Sequence, residues 1–170
     1  SPVRASIKRE PISPSMDIQV SSNFERALFD AYDRDAGAVA QLMDELGQGG
    51  FDVSQGAMQA LQDIYRSGRA SEEETTATIA DRRRTTGELL CPHSAVGVKV
   101  ADEQRDPATP MVTLATAHPA KFPDAVEAAT GIRPALPPRM ADLFDREERF
   151  TRLPNDLDAL KAHIKGNLPA

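Results

Sequence analysis

The sequence predicts an α/β fold, rich in helix and holding one or two buried strands. Three observations carry this. Apolar residues recur at helical spacing in several stretches bracketed by capping residues. One run, "PMVTLAT", places Val112, Thr113 and Leu114 between Pro110 and His118-Pro119, as a buried strand would. The chain has 170 residues, 40% apolar and 27% charged, enough for one domain with a true core.

The elements follow in chain order. Residues 1–11 are proline- and serine-rich and read as an irregular leader; residues 12–166 read as one folded segment. In "SSNFERALFDAYDRD", Ser22 or Asn23 is placed to cap a helix whose inner face carries Phe24, Leu28 and Ala31. Gly37 interrupts, and "AVAQLMDEL" resumes with Val39, Leu42, Met43 and Leu46 on one face. After "GQGG" and a short extended "FDVS", Met58, Leu61 and Ile64 or Tyr65 mark a third helix, closed by Gly68.

Ser71 and Glu74 have capping-box spacing, and the polar helix they open reads as a surface helix. "PHSAVGVKVADEQ" reads as a helix entered through Pro92, with Ala95 and Gly97 small enough for close packing; its valines also permit a strand. "FPDAVEAATG" is a helix ended by Gly131, "IRPALPP" a surface linker, and "RMADLFDREE" a short helix. "RFTRLPND" is a candidate second extended piece. Asn155 or Asp156 then caps a last helix, with Leu157, Leu160 and Ile164 facing inward.

One strand cannot make a sheet. The apolar run of 112–114 suits a parallel strand covered on both faces, yet no partner strands are visible, so the chain reads as part of something larger.

Charge and composition narrow the function. The net charge of −6 argues against nucleic acid, whose phosphates need a basic face. Arg82-Arg83-Arg84 reads as a solvated helix face. A single cysteine, Cys91, excludes an intramolecular disulfide and suits a reducing compartment, the cytoplasm. No apolar run has the length of a membrane span, so no membrane partner is expected.

Cys91, His93 and His118 lack the paired spacing of a zinc site, so no metal is expected. "GQGG" lacks the Lys-Ser/Thr of a phosphate loop. None of the five lysines stands out as a desolvated nucleophile; Lys99 lies among valines with a stem able to snorkel.

Two places keep alternatives open. Thr116 stands where the apolar run stops, and ligands of open α/β sheets bind at the carboxyl ends of strands. Its hydroxyl either meets a ligand heteroatom or satisfies nearby backbone. The helix start at "SSNFER" is either an ordinary cap or an anion site, with Arg26 supplying a guanidinium.

"SPSMDIQVSSNFERALFD", "CPHSAVGVKVA", "MVTLATAHPAKFPDAVEAATG" and "LPND", in that order, closely resemble the C-terminal portion of threonine synthases of the bacterial and fungal type. The resemblance runs from about Ile12 to Ile164. It implies the C-terminal part of a tryptophan-synthase-β-like, fold-type II pyridoxal-phosphate fold. It also implies a lyase of threonine biosynthesis that converts O-phospho-L-homoserine and water into L-threonine and phosphate. The Schiff-base lysine and phosphate cradle of that family lie in an N-terminal remainder not contained in this sequence. On this resemblance the chain is inactive alone, and that remainder is its partner; the alternative is a non-catalytic interaction or regulatory fragment of the same family.

The resemblance also assigns residues. Thr116, in "TAHPAKF", matches the hydroxyl that faces the cofactor's pyridine nitrogen, while Ser22, Asn23 and Arg26 are candidates for the substrate pocket. "CPHSAVG" departs from the family's usual D-P-H-T-A-V-G: Cys91 stands for an acidic residue and Ser94 for threonine. Losing a carboxylate cap would cost about 1 kcal/mol if that position caps the helix.

Overall fold

The computed structural model describes Ile12 and residues 23–168. Ser22 and the leader therefore lie outside the described residues. The chain divides between Ala135 and Leu136 into two compact units, a boundary within the proline-rich "IRPALPP".

The first unit opens with three helices: α1 (Phe24–Ala31), α2 (Ala36–Gly47) and α3 (Gln55–Ile64). They close around Leu28, Leu42, Phe51 and Leu61, with Val39, Met43 and Leu46 packed beside them. The break between α1 and α2 precedes Gly37. Asp33 and Arg34 take left-handed backbone there, with φ of 53° and 64°, and Asp35 caps α2 by accepting from Ala38 N–H. Gly37 is simply helical.

The second group is α4 (Glu72–Thr86), α5 (Pro92–Gln104) and α6 (Pro123–Thr130), with a 3₁₀ turn, Pro119–Lys121, ahead of α6. α4 opens with the expected capping box: Ser71 Oγ accepts from Glu74 N–H at 3.1 Å, and Glu74 Oε2 from Ser71 N–H at 2.7 Å. That N–H leads the causes that hold the Glu74 carboxyl below its usual range.

The surface reading of α4 is overturned. Ile79 and Thr75 are fully buried, and α4 packs on both α5 and α6. Its polar sequence disguises this because the threonines satisfy themselves. Thr75 and Thr78 hydroxyls donate to the carbonyls of Ser71 and Glu74, both at 2.7 Å, so the buried hydroxyl carries little penalty.

Charges stitch α4 to α5. Lys99 Nζ lies 3.2 Å from Glu74 and 3.0 Å from Glu103, and Arg82 pairs with Asp102. Lys99 also donates to Arg69 O at 2.9 Å. Its hydrogen bond to Glu103, with help from Glu74, raises its pKa, so it stays a cation with a half-buried stem.

Gly68 does not cap α3, which ends at Ile64 before extended Tyr65. The glycine instead lets the 65–70 segment touch α5: a Cβ there would sit 2.6 Å from Val100 Cγ1. Val100 is β-branched and cannot swing aside. Gly68→Ala is therefore expected to destabilise by about 1–3 kcal/mol, read as a lower urea midpoint.

The predicted strands do not form. Among the described residues there is no strand; Phe51 makes only an isolated bridge, and neither residues 111–116 nor "RFTRLPND" joins a ladder. Val112 and Leu114 are each 78% exposed, so the burial expected for this run is also absent. The cause is the missing neighbour: extended backbone becomes a strand only by pairing. Gly97 holds the segment against α5, since a Cβ there would meet Thr113 Cγ2 at 3.3 Å. The helical reading of "PHSAVGVKVADEQ" holds.

The second unit contains a 3₁₀ turn, Pro138–Met140, and α7 (Leu157–Gly166). Of the two candidate caps for α7, Asp156 does the work, accepting from Ala159 N–H at 2.7 Å. Leu157, Leu160 and Ile164 were expected inward but are 63, 44 and 51% exposed. A helix of ten residues with a bare apolar stripe needs cover that the described residues do not supply.

Candidate functional site

The first turn of α5 is its most buried stretch, Pro92 through Val96. Proline at N1 is preorganised for helix entry and lacks an N–H that would need a partner. Cys91 is the N-cap, with extended backbone (φ −76°, ψ 158°), and its sulfur accepts from Ser94 N–H at 3.4 Å. The position that departs from the resembled pattern is thus a true cap, filled by a weak sulfur acceptor.

Thr116 reaches this turn from the extended segment. Its N–H donates to Ser94 Oγ at 3.1 Å. Its hydroxyl lies 3.5 Å from Ser94 Oγ and 3.9 Å from Cys91 Sγ, and Ser94 Oγ is 3.2 Å from that sulfur. Cys91 and Ser94 are buried while Thr116 is exposed. Burial pushes the Cys91 thiol up. Its hydrogen bonds, those with Ser94 first, outweigh burial and set the thiol below its ordinary value.

His93, one residue into α5, is buried with its ring 4.5 Å from that of Phe122. Burial, and then the charge of Lys121, hold its pKa below the ordinary value. The unfolded chain therefore binds a proton more readily than the folded one. Stability is full above about pH 6.5, the unfolded histidine value, and falls as the pH drops toward the folded pKa. We expect a lower urea midpoint at pH 5 than at pH 7, with part of that loss abolished by His93→Gln.

The neighbours of Thr116 have structural employment. His118 caps the 3₁₀ turn, its Nδ1 accepting from Ala120 N–H at 3.2 Å, which leaves the proton of the neutral ring on Nε2. Lys121 Nζ lies 5.7 Å from the centre of the Phe122 ring. Among the described residues, no group of three His, Cys, Asp or Glu side chains could hold a metal ion.

Thr116, His93 and Gly97 line an open cleft of about 700 Å³, together with Ile64, Val112 and Leu114. Asn23 and Arg26 do not line it. Asn23 Oδ1 accepts no backbone N–H at the start of α1; it accepts from Arg26 Nη2 at 2.9 Å. Arg26 borders a separate depression with Glu25, Phe29 and Asp30. The part played by Cys91 and Ser94 around Thr116 was not foreseen, although a cysteine just before Pro92 marked the cap where it arises.

Comparison with known proteins places this geometry. The family model for the C-terminal part of threonine synthase matches residues 94–164. Threonine synthase of Pseudomonas aeruginosa is 51% identical over 156 residues, covering 90% of this chain and 33% of that protein. The crystal structure of PLP-bound threonine synthase from Brucella melitensis overlays with a TM-score of 0.84 at 49% identity, over 97% of this chain and 36% of that one. The yeast threonine synthase structure overlays at 0.76 with 29% identity, over 95% and 37%.

The chain spans about a third of the length of the curated relatives it matches. Its helix-rich architecture is that of the corresponding region of the solved threonine synthases. In sequence and in fold, the chain is similar to the C-terminal portion of the threonine synthases.

Proposed function

We propose that this chain supplies the C-terminal part of a pyridoxal-phosphate lyase that converts O-phospho-L-homoserine and water into L-threonine and phosphate. The observation that carries the reading is the overlay of nearly the whole chain on the PLP-bound Brucella melitensis protein at 49% identity. The Schiff-base lysine belongs to the N-terminal remainder, so the isolated chain is inactive. Among the described residues, no helix is long and apolar enough to cross a membrane; a cytoplasmic location is part of the proposal.

The donor set suits the cofactor. A pyridine nitrogen calls for one hydrogen-bond donor, and Thr116 offers an exposed hydroxyl whose described partners are Ser94 and Cys91, with no carboxylate among them. Pyridoxal phosphate, when bound, supplies the electron sink that stabilises negative charge on the substrate while phosphate leaves and water adds. Thr116 would hold the ring nitrogen through a hydrogen bond from its hydroxyl, a neutral donor that would moderate that sink. His93, held neutral, keeps a further positive charge out of the cleft.

Asn23 and Arg26 are proposed for the substrate side, as is Ser22, which lies outside the described residues. The bond to Asn23 Oδ1 fixes the guanidinium, whose remaining donors suit a phosphate. The test is turnover by the full-length protein that carries this chain. Given O-phospho-L-homoserine, it should release threonine and phosphate in equal amounts, dependent on pyridoxal phosphate. Phosphate release without threonine, or no turnover, would overturn the assignment.

A further inference from the structure

The first turn of α5 holds an amide of the extended segment. Thr116 N–H donates to Ser94 Oγ at 3.1 Å, and Ser94 Oγ lies 3.2 Å from Cys91 Sγ, which accepts from Ser94 N–H. Both acceptors are buried and belong to a capped helix end, so neither can follow the segment if it moves. This is a tether on the peptide that carries Thr116, made by Ser94 and backed by Cys91.

Ser94 Oγ already accepts from Thr116 N–H and has one proton to give. The near acceptor for that proton is Cys91 Sγ at 3.2 Å; Thr116 Oγ1 is farther, at 3.5 Å. The sulfur also receives Ser94 N–H. For the Thr116 proton, the acceptors inside the cluster lie at 3.5 and 3.9 Å, at or beyond the length of a good O–H···O bond and long for sulfur. Inside the cluster the Thr116 hydroxyl thus makes only long contacts, and Thr116 also lines the cleft.

We propose that Ser94 and Cys91 are positioning residues for Thr116, Ser94 tethering its backbone N–H and Cys91 holding Ser94, with the Thr116 hydroxyl poised to donate out of the cluster. The proposal rests on the reading of Thr116 as the cofactor-facing hydroxyl. It adds that the sulfur at position 91 accepts hydrogen bonds within this arrangement, and that a hydroxyl at position 94 is required whether serine or threonine carries it.

The test uses the full-length protein with pyridoxal phosphate bound, and two readouts. The first is hydrogen–deuterium exchange of the peptide covering residues 111–118. Ser94→Ala should speed exchange there roughly tenfold, the loss of one hydrogen bond, with the α4 and α6 peptides unchanged. The second is the absorbance band of the bound cofactor, which should shift in Ser94→Ala in the same direction as in Thr116→Ala. Ser94→Thr should restore both.

Should Ser94→Ala fail to accumulate, Cys91→Ala removes the sulfur that holds the Ser94 hydroxyl and should speed the same peptide. An altered band in Thr116→Ala, with wild-type exchange and band in Ser94→Ala or Cys91→Ala, overturns the positioning role alone. A wild-type band in Thr116→Ala overturns the cofactor reading of Thr116 on which the role rests.

Discussion

Thr116→Ala in the full-length protein is expected to lower kcat about 10²–10³-fold, the usual loss when one preorganised donor is removed from a reacting centre. The thermal midpoint should hardly move. Thr116 is exposed, so alanine leaves no cavity. The backbone bond to Ser94 Oγ survives because Thr116 N–H makes it. A fall in kcat without a fall in stability separates a chemical role from a structural one. Thr116→Ser, which keeps the hydroxyl, should recover most of the rate. Steady-state phosphate release reads both variants, and a change in KM alone would argue that the hydroxyl binds substrate instead.

Ile79→Ala is expected to cost about 2–5 kcal/mol, the range for truncating a large buried aliphatic side chain. Ile79 is fully buried on α4, the helix that packs on both α5 and α6. Its loss opens a cavity behind the helix that carries Cys91, His93 and Ser94. The lowered stability should therefore come with faster exchange in the α5 peptides. Urea midpoints check the first expectation and peptide-resolved exchange the second. A cost below about 1 kcal/mol would mean that α4 is only a cover, since well-packed cores do not collapse so easily around a missing isobutyl-sized group.

How much of this was legible in the sequence depends on how local each feature is. The Ser71–Glu74 box, the glycine end of α6 and the Asp156 cap were readable because each is set by side chains within a few residues. Gly97 announced a close approach, and Thr113 makes it. The central place of α4 was hidden, because its threonines spend their hydroxyls on their own helix and so look like surface residues. Residues 111–116 have strand composition, but a ladder is a property of two segments, and the second is not among the described residues. The exposed stripe of Leu157, Leu160 and Ile164 has the same origin: amphipathicity states that a face wants cover, not where the cover is.

The site divides in the same way. Thr116 was singled out through the resemblance of "TAHPAKF", and the cap at position 91, which the structure shows, through the departure from the family's acidic residue there. The meeting of Cys91, Ser94 and Thr116 required the fold, because 22 residues separate Ser94 from Thr116. Asn23 and Arg26, candidates for the substrate side, touch each other, and Arg26 borders a depression separate from the cleft at Thr116.

The central claim is that this chain is one part of an enzyme whose cofactor is anchored by another part. The most direct measurement makes the two parts separately, then mixes them with pyridoxal phosphate and O-phospho-L-homoserine. With Val112, Leu114 and Ile164 bare, the chain alone should self-associate, bind no cofactor and release no phosphate. Mixed with the N-terminal part, it should form a one-to-one complex with a cofactor absorbance band and release phosphate and threonine together. A monomeric chain that binds pyridoxal phosphate by itself, or a stable complex that turns over no substrate, would contradict the account.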